Sequence, residues 1–509
     1  MGFTDKTFGN KTSTNQWLSA LAAFAATALL VFLGNGLEPR WPLMWLAPLP
    51  VLVFALRSSA WSAGLVAFAA WLAGSLNLWG YLRVVDAPPI AWFANFGMIA
   101  AVFAAGVLLM RALARKGRLW SAWIALPAVW VTFEFARNFV WPHGSGGSLA
   151  YSQLKFIPFL QLAAIAGPWG LTFVLTLFPA GLALAIHYRG SEKRLARRES
   201  LQILTATVGV MAAVLIFGAL RMGMQQPGPM VRVGLVASDA PGNTGVAKPG
   251  EATERIFQQY AQQAEGLIAR GAQVVVVPEN VGVVVDPHLE KVDAIFQQVA
   301  DRTGATLVAG MTHVAGNPQS GVQYNEARIY EPGIAVQSYD KEHLLPPFES
   351  MCTPGKSRTV LDREKKAGQT WGVAICKDFD FTEPARSYGR AGAGLMLAPA
   401  WDFRVDGIWH GHIAIMRAVE DGFSLVRSAR RGLLTVTDDR GRVLAETASN
   451  AAPFATLLAE VPSGHDKTLF LLWGDWFGWC AIMLLVIVVG RLLMPKKSST
   501  PSASKPLPR

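Results

Sequence analysis

The run "WLSALAAFAATALLVFLGNG", residues 17 to 36, holds no charged side chain. At 1.5 Å per residue a helix of that length covers the roughly 30 Å hydrocarbon core of a bilayer. Backbone crossing lipid must satisfy its own hydrogen bonds, so such a run folds as a helix. It is the first of a series: further apolar runs lie at about 41 to 57, 59 to 81, 90 to 112, 119 to 137, 158 to 187 and 201 to 221, and a last one, "LFLLWGDWFGWCAIMLLVIVVGRLLM", at 469 to 494. The expectation is about eight transmembrane helices, seven before residue 222 and one after it. The run at 41 to 57 is the shortest and contains Pro48 and Pro50. A cleaved signal peptide does not fit the first run, whose apolar core is too long and is followed at once by further spans. A hydrophobic fraction of 52 % with only 16 % charged residues agrees with a membrane protein.

The formal charge of +11 admits nucleic acid or membrane as partner, and the placement of the basic residues decides. If the spans alternate, one side receives Lys6, Lys11, Arg57, "RALARKGR" (111 to 118), "RGSEKRLARRE" (189 to 199), Lys496, Lys497, Lys505 and Arg509. The other side is poorer in basic residues. The positive-inside rule then puts both termini in the cytoplasm and residues 222 to 468 outside it. The basic charge is a topology signal, and no nucleic-acid partner is expected. The expected organisation is a membrane domain at 1–221, an extracytoplasmic domain at 222–468, a C-terminal transmembrane helix at 469–494 and a disordered, Ser/Pro/Lys-rich cytoplasmic tail at 495–509.

The segment outside the membrane alternates short β-rich runs, among them "MVRVGLVAS" (230 to 238), "AQVVVVPE" (272 to 279), "TLVAGMTHV" (306 to 314), "WGVAICKD" (371 to 378) and "LMLAPA" (395 to 400), with helix-like stretches. In one of these, 251 to 271, Ile256, Tyr260, Ala264 and Leu267 form an apolar face. The alternation predicts an α/β domain. Three polar residues end or follow its strands: Glu279 closes "VVVVPE", Lys341 opens "KEHLLPPFE" and Cys376 closes "GVAIC". A charge at the end of four valines is costly to bury unless paired, and α/β folds place their chemistry at strand ends. The chain's three cysteines, Cys352, Cys376 and Cys480, are too few for a disulfide framework and lack zinc-ligand spacing. A Cys352–Cys376 disulfide stays open in an oxidising compartment, but it would disarm a nucleophile at Cys376, and Cys352 is read as a free or packing thiol.

In order and setting, "VVVVPEN", "YDKEHLLPPFE" and "GVAICKDFDF" resemble the three signature blocks of the nitrilase, or carbon-nitrogen hydrolase, superfamily, and the likeness continues through residues 417 to 446. With the spans, the sequence is most similar to that superfamily's integral-membrane branch, the apolipoprotein N-acyltransferases. The resemblance implies an αββα sandwich and a Glu279, Lys341, Cys376 triad. Chemistry supports those roles: Glu279 takes the thiol proton of Cys376, the nucleophile, and the Lys341 ammonium stabilises the oxyanion, helped by the backbone N–H of Lys377. Glu349 matches a second family glutamate that holds the lysine and positions the acceptor. Also implied is a two-step reaction at a bacterial cytoplasmic (inner) membrane, in which Cys376 takes an acyl chain from a phospholipid as a thioester. It then passes the chain to the N-terminal amine of a diacylglyceryl-cysteine lipoprotein. The alternative is a membrane-tethered nitrilase-type amidase with water as acceptor.

The sequence departs from that branch at "ASDAPGN" (237 to 243), where a "QGN"-like stretch is usual, at Lys377 and Asp378, where Tyr-Glu follows the cysteine, and at "PAWDF" (399 to 403), in place of "NDAWF". His410 and His412 lack a third ligand at suitable spacing, and no metal or other cofactor is expected. The stretch "GSGGS" (144 to 148) is no phosphate loop, because no Lys-Ser/Thr follows it, and reads as a flexible loop beside the active-site mouth.

Overall fold

The computed structural model describes residues 7–85, 88–224, 228–239, 249–316, 321–362 and 370–495. The C-terminal tail, and the "ASDAPGN" stretch beyond Asp239, lie outside the described residues. The first part is helical: α1 (Thr7–Gly34), α2 (Trp41–Met44), α3 (Leu49–Arg57), α4 (Ala60–Gly74), α5 (Trp79–Val84), α6 (Pro89–Arg115), α7 (Leu119–Asn138), α8 (Ile157–Leu160), α9 (Ala163–Tyr188) and α10 (Arg194–Gly223). Seven helices among the described residues are long and apolar enough to cross a membrane: 15–34, 60–84, 89–115, 119–138, 163–188, 194–223 and 476–493. The run at 41 to 57 does not add an eighth. It folds as α2 and α3 around Pro48 and Pro50, and the nine residues of α3 span only about 14 Å. Pro48 has no N–H to continue a helix through it. The 60–84 span is α4 and α5 joined by a 3₁₀ turn at Ser75–Leu78.

Aromatic side chains fill the centre of the bundle. Trp71 packs against Phe103 and Trp130 with ring centroids 4.3 and 4.6 Å apart. Helix α9 carries Pro168 and Pro179 and bends at Gly167, whose φ of 60° suits glycine. A Cβ there would lie 2.3 Å from the ring of Phe470.

The second part holds, among the described residues, thirteen strands and four helices: β1 (Met230–Ala237), α11 (Glu251–Ala269), β2 (Val274–Val276), β3 (Val283–Val285), α12 (Asp286–Thr303), β4 (Thr306–Ala315), β5 (Val322–Tyr330), β6 (Gln337–Asp340), β7 (Val360–Asp362), β8 (Thr370–Val373), α13 (Ala385–Arg390), β9 (Ala393–Trp401), α14 (Gly407–Asp421), β10 (Ser424–Arg430), β11 (Leu433–Thr437), β12 (Val443–Ala448) and β13 (Ala455–Pro462). One sheet runs β13-β1-β2-β4-β5-β6 with β3 beside β4, the other β12-β11-β10-β9-β8-β7. Valines and leucines of their facing sides, such as Val233, Val276, Val308, Val373, Leu395 and Leu425, form one buried layer. Helices α11 and α12 cover the outer face of the first sheet through Phe257, Tyr260 and Phe296. Helix α14 covers the second, completing the αββα order.

Helix α14 is apolar on two sides. Ala414 and Ala418 face the sheet layer, while Ile413, Ile415, Met416 and Val419 join the core of the helical bundle with Phe159, Leu160 and Ala163. The α/β part is thereby seated on the bundle. Expected as one span, residues 469 to 494 divide at Gly474 (φ 62°) into α15 (Leu469–Trp473) and α16 (Trp476–Leu493). Asp475 at the break accepts from Trp169 Nε1 of α9 at 2.8 Å and from Arg386 Nη1 of α13 at 2.9 Å. The "GSGGS" stretch is not a free loop: Gly144, Ser145, Gly146 and Ser148 are buried between the two parts.

Candidate active site

Cys376 opens a 3₁₀ turn, Cys376–Asp380, three residues beyond the end of β8. Its φ of +43° is in the left-handed region, which a non-glycine residue keeps only where its surroundings over-determine it. Asp378 supplies much of that determination. Its Oδ2 accepts from Ile375 N at 3.0 Å and from the Tyr339 hydroxyl of β6 at 2.8 Å, and its Oδ1 accepts from His343 N at 2.8 Å. One buried carboxylate therefore ties the cysteine turn to both flanks of Lys341. The Cys376 thiol points to the carbonyl of Trp401, 3.5 Å away at the end of β9.

Glu279 and Lys341 also follow strand ends, β2 and β6, and each is only 2 % exposed. Glu279 N–H donates to Ala400 O across the sandwich at 3.3 Å, so this carboxylate stands where the two sheets meet. Lys341 Nζ lies 2.7 Å from Glu279 Oε1 and 3.0 Å from each oxygen of Glu349. Glu349 is held by Leu345 N, 2.6 Å from its Oε2. Asn325 Nδ2 donates to Glu279 Oε1 at 2.6 Å and also to Glu349 Oε1. Glu279, Lys341 and Glu349 thus form one hydrogen-bonded cluster, with Cys376 near enough to feel the charges of Glu279 and Lys341.

Two carboxylates around one ammonium leave a surplus negative charge, and burial magnifies its effect. Burial raises the Glu279 carboxyl above its ordinary range; Lys341 opposes that rise and Glu349 adds to it. For Lys341 burial acts downward, but Glu279, Glu349 and Cys376 outweigh it and hold the ammonium charged well above the ordinary lysine value. Burial also pushes the Cys376 thiol well up, with Glu279 adding and Lys341 and Arg427 opposing. At rest, then, the sulfur carries its proton and must lose it as it attacks.

Arg427 and Asp402 form a fully buried bidentate pair beside the thiol, at 3.0 and 2.6 Å. Lys377 turns its amine away to Leu344 O at 2.8 Å. Phe403 packs on Phe348, with centroids 5.1 Å apart. Cys352 is a free thiol whose pKa burial and Glu349 raise to about 11. The two histidines of "WHGHIAIM" are separated: His410 pairs with Asp406 and His412 with Glu446. Reading the sequence did not find Asn325 or Arg427, which lie in strands with no distinguishing spacing, or the role of Asp402 just beyond β9 as the partner of Arg427.

Residues 27–181 match the family model of the apolipoprotein N-acyltransferase N-terminal domain, and residues 247–470 that of carbon-nitrogen hydrolase. A Geobacter metallireducens protein named apolipoprotein N-acyltransferase is 25 % identical over 488 residues, covering 90 % of this chain and 92 % of its own. One of the same name from Gloeobacter violaceus is 25 % identical over 494 residues, covering 92 % and 89 %. Among solved structures, the nitrilase-superfamily amidase of Nesterenkonia AN1 is 22 % identical with a TM-score of 0.37, over 47 % of this chain and 94 % of its own. A Saccharomyces cerevisiae member of branch 10 of that superfamily is 24 % identical with a TM-score of 0.39, over 46 % and 90 %. With both of its parts matched in tandem, and relatives alike over nine-tenths of its length, the chain belongs to the apolipoprotein N-acyltransferase family.

Proposed function

We propose that the protein moves an acyl chain from a membrane phospholipid, through a thioester on Cys376, to the N-terminal amine of a diacylglyceryl-cysteine lipoprotein. The observation that carries this reading is the left-handed Cys376 turn set against the buried Glu279–Lys341–Glu349 cluster, on a chain of span-length apolar helices. In the first step Glu279 takes the thiol proton as sulfur attacks the ester carbonyl. Lys341 Nζ is shared across both oxygens of Glu349, which leaves an N–H for the developing oxyanion. Collapse expels the lysophospholipid alkoxide, which takes the proton back from Glu279. In the second step the acceptor amine attacks the thioester, Glu279 receives the amine proton, and the departing thiolate is reprotonated from it. Glu349 fixes the lysine throughout.

Drawing an acyl chain from hydrocarbon into water costs about 0.8 kcal/mol per CH₂, so we place the donor's access within the bilayer. A cavity of about 520 Å³ between α1, α4, α5 and α6, lined by Phe24, Phe68, Leu72, Trp79, Leu82 and Phe96, supports that route. Tyr81, between Trp79 and Leu82 on α5, lies against Asp406 in the α/β part. We place the α/β part outside the cytoplasmic membrane of a bacterium and both termini inside. In support, Arg111 and Arg115 reach Ser58 O, and Lys116 and Arg118 reach the carbonyls of Leu492 and Met494, which gathers the basic loops at one end of the bundle. The α/β part sits at the other.

The test is to incubate detergent-purified protein with phospholipid and a diacylated lipopeptide and follow the lipopeptide mass. A gain of one acyl chain is expected; release of free fatty acid without that gain would favour water as acceptor. For topology, a cysteine placed at Gly316 should react with a membrane-impermeant reagent in intact spheroplasts. Labelling only after lysis would reverse the orientation.

A further inference from the structure

The far end of the Cys376 turn is held from the membrane side. Ser145, in the loop between α7 and α9, donates both its N–H (3.0 Å) and its hydroxyl (2.8 Å) to the carbonyl of Asp380. A carbonyl only accepts, so the single hydroxyl proton of Ser145 is committed to it. The Tyr151 hydroxyl, 2.6 Å from Ser145 Oγ, therefore donates to Ser145, and its own oxygen accepts from Arg417 Nη2 of α14 at 3.2 Å. Donation runs one way from Arg417 through Tyr151 and Ser145 to the cysteine turn. Both links are buried, Ser145 at 4 % and Tyr151 at 3 % exposure.

The loop is itself anchored. Glu134, in the last turns of α7, accepts from Trp130 Nε1 at 2.9 Å, Leu149 N at 2.8 Å, Ser148 Oγ at 2.7 Å and Thr172 Oγ1 of α9 at 2.8 Å. A carboxylate at that depth is costly without such a set of donors. The approach of loop to turn also needs glycine: Gly144 has φ +50°, and a Cβ on it would stand 2.8 Å from Asp380 O.

We propose that Ser145 and Tyr151 are positioning residues for acyl transfer: they fix the Asp380 carbonyl and with it the left-handed Cys376 turn, so that the membrane part sets the geometry of the nucleophile. The inference rests on the reading of Cys376 as nucleophile. Asp378 grips the turn near its start, and Ser145 grips its end. Neither hydroxyl touches the reacting atoms, so their loss should lower kcat and leave KM unchanged.

The full-length chain in detergent provides the test, with formation of acyl-Cys376 from phospholipid as the rate measured. Ser145→Ala and Tyr151→Phe should each lower kcat roughly tenfold, with KM for phospholipid unchanged. The double variant should be no slower than the slower single one, because the two hydroxyls act as one chain. Tyr151→Phe keeps the ring in the core and carries the test alone if Ser145→Ala does not fold. A wild-type kcat in Tyr151→Phe, a loss confined to KM, or independent multiplicative losses would overturn the proposal. If Cys376→Ala still formed an acyl-enzyme the nucleophile reading would fall, whereas an inactive Cys376→Ala beside a fully active Tyr151→Phe would remove the positioning role alone.

Discussion

At the scale of single residues the site combines a protonated thiol with a base whose affinity for protons has been raised. In the proposed mechanism Glu279 must be ionised to take the proton of Cys376, and burial lifts its pKa above the ordinary carboxylate value. Acyl-enzyme formation should therefore fail, as pH falls, at a pH higher than the roughly 4.3 of an unperturbed glutamate. A kcat/KM profile whose acid limb sat near 4 would contradict that environment. Glu279→Gln keeps the shape of the side chain but removes the base, and should cost on the order of 10²-fold or more; Lys341→Ala should lose at least as much through the oxyanion. Cys352→Ser should leave the rate nearly unchanged, since that thiol stays protonated up to about 11; an inactive variant would mean that the nucleophile had been misassigned. Glu279, Lys341 and Cys376 were legible because each follows a strand within a recognisable block, whereas Glu349, in mid-loop, was legible only through the family resemblance. Asn325 was not, although it bridges both carboxylates, because an asparagine in mid-strand carries no signal until the fold brings β5 beside Glu279. Asp378 was read as a departure from the usual glutamate, and its hold on Tyr339 and His343 shows what a carboxylate at that place does.

At the scale of elements, one buried ion pair ties the helix break at Asp475 to the sandwich, and another lies within the sandwich at the start of α14. Asp475, at the break between α15 and α16, binds Arg386 and Trp169, and the Arg386–Asp475 side chains are only 8 and 14 % exposed. Removing one partner leaves a buried guanidinium uncompensated, so Asp475→Ala should destabilise by about 3 kcal/mol, read as a lower thermal midpoint in detergent. An unchanged midpoint would show that the break is not held there. The second pair is His410 Nδ1 with Asp406 Oδ2, 2.9 Å apart on the α14 turn that also meets Tyr81. Burial lowers the His410 pKa, but Asp406, with Asp380 and Asp402, outweighs it and raises the value to about 9. Folded His410 thus binds its proton more tightly than the unfolded chain, whose histidine titrates near 6.5. The resulting stability is complete below that pH and is lost as pH rises through about 9. The gap in midpoint between wild type and His410→Asn should accordingly narrow from pH 6 to pH 10, and a constant gap would remove the ion pair as its cause. Such joints were not legible in the sequence. Apolar runs announce helices by length, but the break at Gly474 and the split at Pro48 arise from backbone geometry inside runs that look continuous by hydropathy.

At the scale of the whole molecule, the question is why a nitrilase sandwich is seated on so much apolar helix. An enzyme acting on small soluble amides has no use for span-length helices or for an apolar cavity of about 520 Å³ among them; one fed by phospholipid within the bilayer needs both. The seat on α14, whose Ile413, Ile415, Met416 and Val419 are packed into the bundle, sets the far end of the cysteine turn against the membrane loop at Ser145. On the proposed mechanism, a thioester on Cys376 has to be shielded from water until an amine arrives. Protein incubated with phospholipid and no acceptor should therefore accumulate one acyl mass per chain by intact-protein mass spectrometry, removed by hydroxylamine and absent from Cys376→Ala. Adding a diacylated lipopeptide should discharge it within a turnover. Steady release of fatty acid from an unmodified enzyme would instead make water the acceptor, and neither adduct nor fatty acid would mean that phospholipid is not the donor. The helices would then need another explanation.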